Sequence, residues 1–205
     1  LFFSEVVELA RKHGWVSDDH FSVDGTLIEA WVSTKSFRPK GDDQGPGGGN
    51  AWMDFKAEKR RNDTHASTTD PEAKLLRKGP GKEARLCFGG HATMENRNGL
   101  CVLFDGKPAV GAPESAVAVE QLGELQARGF DPKSLGADKG YHTKEFVSGT
   151  RELGVVPHPA RKDGQKILHV LLTLAHAASQ KVRKRIEEIF GWAKTTGCFR
   201  KSRYR

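Results

Sequence analysis

The alternation of strand and helix signals after residue 100 constrains this chain more than any other feature. Apolar residues recur at helical spacing from Glu114 to Arg128 (Val117, Val119, Leu122, Leu125) and stop at Gly129, with Pro132 beyond. A short strand follows at Ser134 to Ala137, then a helix capped by Thr143 and running to Leu153 with Gly154 at its end. A further strand is expected at Val155 to Pro157. Strands joined through helices imply parallel crossovers, which bury a sheet on both faces. The fold class is therefore α/β, a mixed sheet flanked by helices.

Upstream of that alternation the pattern changes. Ser4 caps a helix over residues 4 to 13 that ends at Gly14. His20 to Trp31 alternates as a strand through Val23 and is broken by Asp24-Gly25. From Arg38 to Ala84 the chain is polar, with five glycines between Gly41 and Gly49 and too few aliphatics for a core, so it reads as a long insertion or partly mobile loop after the first strand. Ala84 to Glu95 and Gly99 to Phe104 form a hairpin around Asn96-Arg97-Asn98-Gly99. Ile167 to Ala178 and Ser179 to Thr195 are helical, the second strongly amphipathic.

With 205 residues the chain is the size of a single domain, residues 1–205. No apolar run approaches 18 residues, which excludes a membrane span, and Leu-Phe-Phe-Ser lacks the flank of a signal peptide, so an intracellular protein is expected. Three cysteines (Cys87, Cys101, Cys198) make neither a disulfide framework nor a zinc pattern. Charge is more informative. Residues 181 to 205 hold nine basic and two acidic side chains, so the whole formal charge of +7 sits at that end. A localised positive field suits a polyanion, although a solvated basic helix accounts for it equally.

Phosphoryl chemistry on nucleic acid needs carboxylates that hold divalent ions. Asp24 ends the first strand in Ser22-Val23-Asp24-Gly25-Thr26, where Asp-Gly alone is also a common turn pair. Asp138 ends Leu135-Gly136-Ala137-Asp138, at the carboxyl edge of a sheet where ligands gather. At about 100° per residue from Arg183, Lys194 falls at 20°, Glu187 at 40° and Gln180 at 60°, all on one stripe. Val182, Ile186, Ile189, Phe190 and Ala193 occupy the buried face, and Glu188 points outward. Glu187 thus borders the core, and taken alone it is an i, i+4 partner of Arg183 worth tenths of a kcal/mol. Trp31, Trp52 and Trp192 suit base stacking or packing, and His91 and His142 are read as structural or solvated.

Five segments carry a resemblance: Phe21 to Trp31, Thr64 to Pro71, Gly90 to Gly99, Leu135 to Tyr141, and Arg183 to Lys194. Together and in this order they resemble the DDE transposases of bacterial insertion sequences, in the branch whose last motif reads tyrosine, arginine, glutamate, lysine. The resemblance implies a ribonuclease-H-like fold with Asp24, Asp138 and Glu187 as metal-binding acids. It implies two Mg²⁺ ions, with Mn²⁺ as substitute, for cutting a DNA strand and joining its 3′ end to a target. Arg183 and Lys194 then contact DNA near the cut phosphate, with Lys184, Arg185 and Lys139 as further basic contacts. Double-stranded DNA, both transposon ends and target, is the implied partner, a homodimer follows from the need to pair ends, and the implied location is the nucleoid of a bacterial cytoplasm. Against the family pattern, Gln180 stands in place of the tyrosine and residues 161–179 match poorly. A core cut at both ends, lacking the N-terminal DNA-binding region, is expected. The opposing reading is a catalytically inactive DNA-binding remnant.

Overall fold

In the computed structural model, the structure describes residues 2–41, 60–77, 79, 81–110, 113–162 and 174–202. The glycine run after Gly41, Trp52, the expected helix over 167–173, and Arg203 and Arg205 lie outside the described residues. The described residues group into two compact units: residues 1–26, 90–107 and 111–198, and residues 27–89, 108–110 and 199–205.

The main sheet includes β1 (Phe21–Glu29), β5 (Ala84–Glu95), β6 (Leu100–Pro108), β7 (Ser134–Ala137) and β8 (Val156–Pro159), with β5-β1-β7-β8 adjacent in that order and β6 paired with β5. β7 pairs in parallel with β1, through Phe21 with Leu135 and Ser22 with Gly136, and with β8, through Gly136 with His158. β5 and β6 are the expected hairpin. Its turn closes where Gly99 N donates to Glu95 O, and Gly99 takes the left-handed φ of 75° that the Asn-Gly pair announces. The buried Glu95 carboxylate holds the turn by accepting from Arg97 N at 2.7 Å, Asn98 N at 2.9 Å and Ser17 Oγ at 2.7 Å.

Helices cover both faces. Helices α1 (Phe2–Lys12), α2 (Glu114–Ala127) and α3 (Lys144–Glu152) serve a core of Val7, Phe21, Val23, Val102, Leu122, Leu125, Leu135 and Phe146. A separate cluster joins Ala92 and Met94 of β5 to Ile186 and Phe190 of α5 (Ile186–Lys194). Thr143 caps α3 by accepting from Phe146 N at 3.2 Å, and Gly14, Gly129 and Gly154 follow α1, α2 and α3 with positive φ. This is the mixed sheet flanked by helices expected from the sequence.

Three local expectations are corrected. Ser4 lies inside α1, which starts two residues earlier. β1 does not break at Asp24-Gly25. It runs on to Glu29, because Gly25 adopts no left-handed φ and Asp24 places its Oδ1 on Gly25 N, at 2.8 Å, without turning the chain. The helix expected over 179–195 is interrupted: α4 (Leu174–Val182) passes into a 3₁₀ turn, Arg183–Arg185, before α5 begins. At about 120° per residue, that turn rotates Arg183 about 60° further from Glu187 than a continuous helix would.

In the second unit, the described part of residues 38–84 contributes short strands and one buried apolar residue, Ala73, to a small core otherwise formed by residues outside that segment. Antiparallel β2 (Phe37–Pro39) and β3 (His65–Ser67) join, and β4 (Lys74–Arg77) pairs with residues 84–87 of β5. Ala30, Phe37, Ala73 and Leu86 are buried together, flanked by Val32, Leu75 and Phe88. Few aliphatics suffice because the strands are only three or four residues long. No disulfide joins the cysteines, and no described helix is long and apolar enough to cross a membrane.

Candidate active site

Period-two alternation on paired strands decides which side chains meet. Asp24 and Asp138 each lie two residues beyond the paired Ser22 and Gly136, so their side chains leave neighbouring parallel strands on the same face. Both are half-buried. Asp138 caps the 3₁₀ turn Lys139–Tyr141, its Oδ1 accepting from Gly140 N at 2.7 Å. That turn carries Tyr141 inward, where the ring is buried and meets Phe146 edge-on at 5.5 Å.

The electrostatics report the proximity. Burial, above all, pushes the Asp24 carboxyl up to about 6, and the charges of Asp138 and Glu114 push the same way. The hydrogen bond from Gly25 N and the Arg183 guanidinium oppose them. Burial also holds the Tyr141 hydroxyl above its ordinary range, with Glu114, Asp24 and Asp138 reinforcing it and Arg183 opposing. The aspartates and Arg183 therefore share one small region, into which Arg183 brings a buried Nε that no described group pairs.

Helix α5 places the remaining residues. Ile186 and Phe190 bury one side of it, while Lys194, in the last turn, donates from Nζ to Thr26 Oγ1. Thr26 is two residues past Asp24, on the same side of β1. Glu187 stands seven residues before Lys194 on nearly the same side of α5, about 10 Å along its axis, and is exposed. The structure thus brings together Asp24, Asp138 and Arg183, sets Lys194 beside them through Thr26, and leaves Glu187 facing solvent. Among the described residues, no three His, Cys, Asp or Glu side chains converge closely enough to hold a metal ion.

The other basic residues differ in what they touch. Lys184 and Lys139 are exposed. Arg185 is exposed too, yet its Nη1 donates to Asn96 O at 3.0 Å, so the side chain clasps the β5–β6 turn. Gln180 donates from Nε2 to His158 O at 2.6 Å and to Ala137 O at 3.4 Å, tying the ends of β8 and β7 together next to Asp138. Trp31 and Trp192 are 67% and 65% exposed, which removes the packing reading for both. His91 and His142 are buried, in keeping with a structural role.

Sequence reasoning missed Glu114. It opens α2, and its carboxylate lies against Gly25: a Cβ at residue 25 would stand 2.8 Å from Oε1. Burial and the Asp138 charge push its carboxyl up. An acid in the first turn of a helix is commonplace, so nothing in the sequence separates it from an ordinary dipole partner.

Two aspartates on the same face of adjacent strands, with Glu114 reinforcing their negative charge and Arg183 opposing it, offer the hard oxygen donors that suit a divalent cation. In comparisons with known proteins, a family model described as Transposase DDE domain matches residues 16–205. No curated protein matches. Among solved structures, the simian T-cell lymphotropic virus intasome in complex with PP2A regulatory subunit B56 gamma aligns over 88% of this chain and 40% of that chain, at 12% identity and a TM-score of 0.43. The Mos1 transposase paired-end complex with left transposon end aligns over 92% and 52%, at 11% identity and a TM-score of 0.33. The chain spans about half, or less, of the length of these proteins.

Proposed function

The chain belongs to the transposase DDE domain family, and from that premise we propose that it is the catalytic core of an insertion-sequence transposase that cuts and joins DNA strands. The observation that carries the reading is the register match of Asp24 and Asp138 on adjacent parallel strands. Separate segments of the chain deliver two half-buried carboxylates to one face, an arrangement that costs stability unless a cation answers it. Asp24 and Asp138, with Glu187 as the family's third acid, would hold two divalent ions, Mg²⁺ or Mn²⁺. When bound, such ions polarise the scissile phosphate and stabilise the attacking and leaving oxygens.

The protein's own residues have separate tasks. Arg183, beside Asp24, orients a phosphate oxygen through a guanidinium whose Nε has no partner among the described residues. Lys194, held at Thr26, adds a second positive charge on the same side of β1. Exposed Lys184, Lys139 and Trp192 suit backbone and base contacts with double-stranded DNA at transposon ends and target. Pairing two ends calls for a homodimer, acting where the genome lies.

One observation favours a second reading, a DNA-binding remnant without turnover: Glu187 is exposed, and among the described residues it does not converge with Asp24 and Asp138 into a metal-holding group. A nicking assay on transposon-end DNA with Mg²⁺ or Mn²⁺ separates the two. Cutting that depends on the ion and vanishes in Asp138→Asn supports the enzyme. DNA binding that persists with no metal-dependent cutting supports the remnant.

A further inference from the structure

We propose that the outward face of α1 is a self-association surface, on which a second copy of this chain packs its own α1 in antiparallel. This gives the homodimer of the functional reading above its surface, on a helix that precedes the matched residues 16–205. At about 100° per residue from Phe2, Val6 falls at about 40° and Leu9 at about 340°, so the three form one stripe along the helix. The stripe faces solvent: Phe2 is 80% exposed, Leu9 55% and Val6 47%. Val7 and Arg11, at about 140° and 180°, take the opposite side. Val7 is buried in the core, while Arg11 donates to Arg128 O and Gly129 O and lies over the Phe130 ring. Just past the helix, exposed Trp15 stacks on His13 at 5.0 Å and adds to the apolar surface at that end.

A surface helix ordinarily turns its apolar stripe to the core and its polar residues to water, whereas α1 carries an apolar row on the wet side as well. The charges beside that row select the occupant. Glu5 and Lys12 fall at about 300° and 280°, along one edge of the stripe and about 10 Å apart, the acid near the start of the helix and the base at its end. Among the described residues, neither enters an ion pair within the chain. A two-fold axis near residues 8 and 9 sets Glu5 of each copy against Lys12 of the other and brings the Val6 and Leu9 side chains of the two copies together. The same patch therefore complements itself, as a two-fold interface requires. A parallel pair would instead set acid against acid and base against base, which is repulsive at both ends.

The test is the solution mass of the purified chain by sedimentation equilibrium, without DNA or metal, so that it reads association alone. The wild type is expected to pass from monomer to dimer as its concentration rises to about 200 μM. Val6→Glu puts a charge in the stripe and should weaken dimerisation at least about 100-fold. Glu5→Lys and Lys12→Glu should each weaken it about tenfold, and the two together should restore it to within about twofold of the wild type. The charge variants leave the stripe and the core untouched, so they decide the matter if Val6→Glu loses helix by circular dichroism. A wild type still monomeric at about 200 μM, a dimer that Val6→Glu does not weaken, or a double variant no tighter than the single ones overturns the inference. The nicking assay is independent of all three: its failure removes the enzymatic reading and leaves a dimer through α1 standing.

Discussion

Asp24 of β1 and Asp138 at the end of β7 stand side by side on adjacent parallel strands, each two residues past the paired Ser22 and Gly136. Each also turns its Oδ1 onto a glycine N–H, Gly25 at 2.8 Å and Gly140 at 2.7 Å. The two carboxylates are thereby oriented before any ligand arrives, at the cost of mutual repulsion.

That repulsion makes a prediction about Asp138→Asn. The amide oxygen still accepts from Gly140 N, while the charge that disfavours ionised Asp24 is gone. Thermal unfolding in EDTA should show a melting temperature equal to the wild type or up to about 3 °C higher, with metal-dependent cutting reduced at least 100-fold. A drop of several degrees would mean that Asp138 is there for the fold.

Neighbouring basic residues should separate by their contacts. Lys184→Ala is expected to weaken DNA binding, to reduce the salt slope by about 1 and to leave stability unchanged. Arg185→Ala removes the bond to Asn96 O and should lower unfolding free energy by about 1 kcal/mol in denaturant titration. Equal melting curves for the two variants would contradict the assignment of Arg185 to the turn.

Gly99 offers a check on the same turn. It sits at a φ of 75°, and an added Cβ would lie 2.9 Å from Arg185 Nη2. Gly99→Ala should cost about 1–2 kcal/mol, part backbone strain and part displacement of the guanidinium, and Gly99→Asn should cost less. The comparison is made by chemical unfolding.

Acidification should weaken the fold through two imidazoles, His20 and His158. His20 and His158 lie 6.1 Å apart between ring centres, and His158 and His176 lie 5.7 Å apart. Burial first, then the charges of His20 and His176, hold His158 down at about 4, and burial also lowers His20, which Glu95 partly opposes. The unfolded chain, titrating near 6.5, binds protons that the fold refuses, so stability is complete above that pH and is lost as pH falls toward 4. The histidine contribution to unfolding free energy, from denaturant titrations at pH 7 and 5, should fall by on the order of 1–3 kcal/mol. Asp24, raised to about 6, gains protons in the fold over the same range and offsets part of it. The comparison is therefore made in Asp24→Asn, where His158→Gln should flatten the decline. A flat Asp24→Asn profile would contradict this account.

Local signals were legible wherever a short stretch of chain decides its own conformation. The β5–β6 turn through Gly99, the Thr143 cap of α3 and the glycines ending α2 and α3 follow from backbone and capping preferences that neighbours along the chain set. The strand continuing through Asp24-Gly25 was illegible, because an Asp-Gly pair reads as a turn unless neighbouring strands hold it extended. The 3₁₀ turn at Arg183–Arg185 likewise interrupts a pattern that reads as one helix.

By itself, the order of residues determined the α/β class, the hairpin, the basic end and the candidate acids, since these depend on periodicity, turn chemistry and motif spacing. Only tertiary structure decided which side chains meet. Parallel register brought Asp24 to Asp138, a missing Cβ at residue 25 admitted Glu114, and the guanidinium of Arg185 went to the turn. Such meetings depend on strand pairing and helix packing between distant parts of the chain, and a linear pattern holds no distance between them.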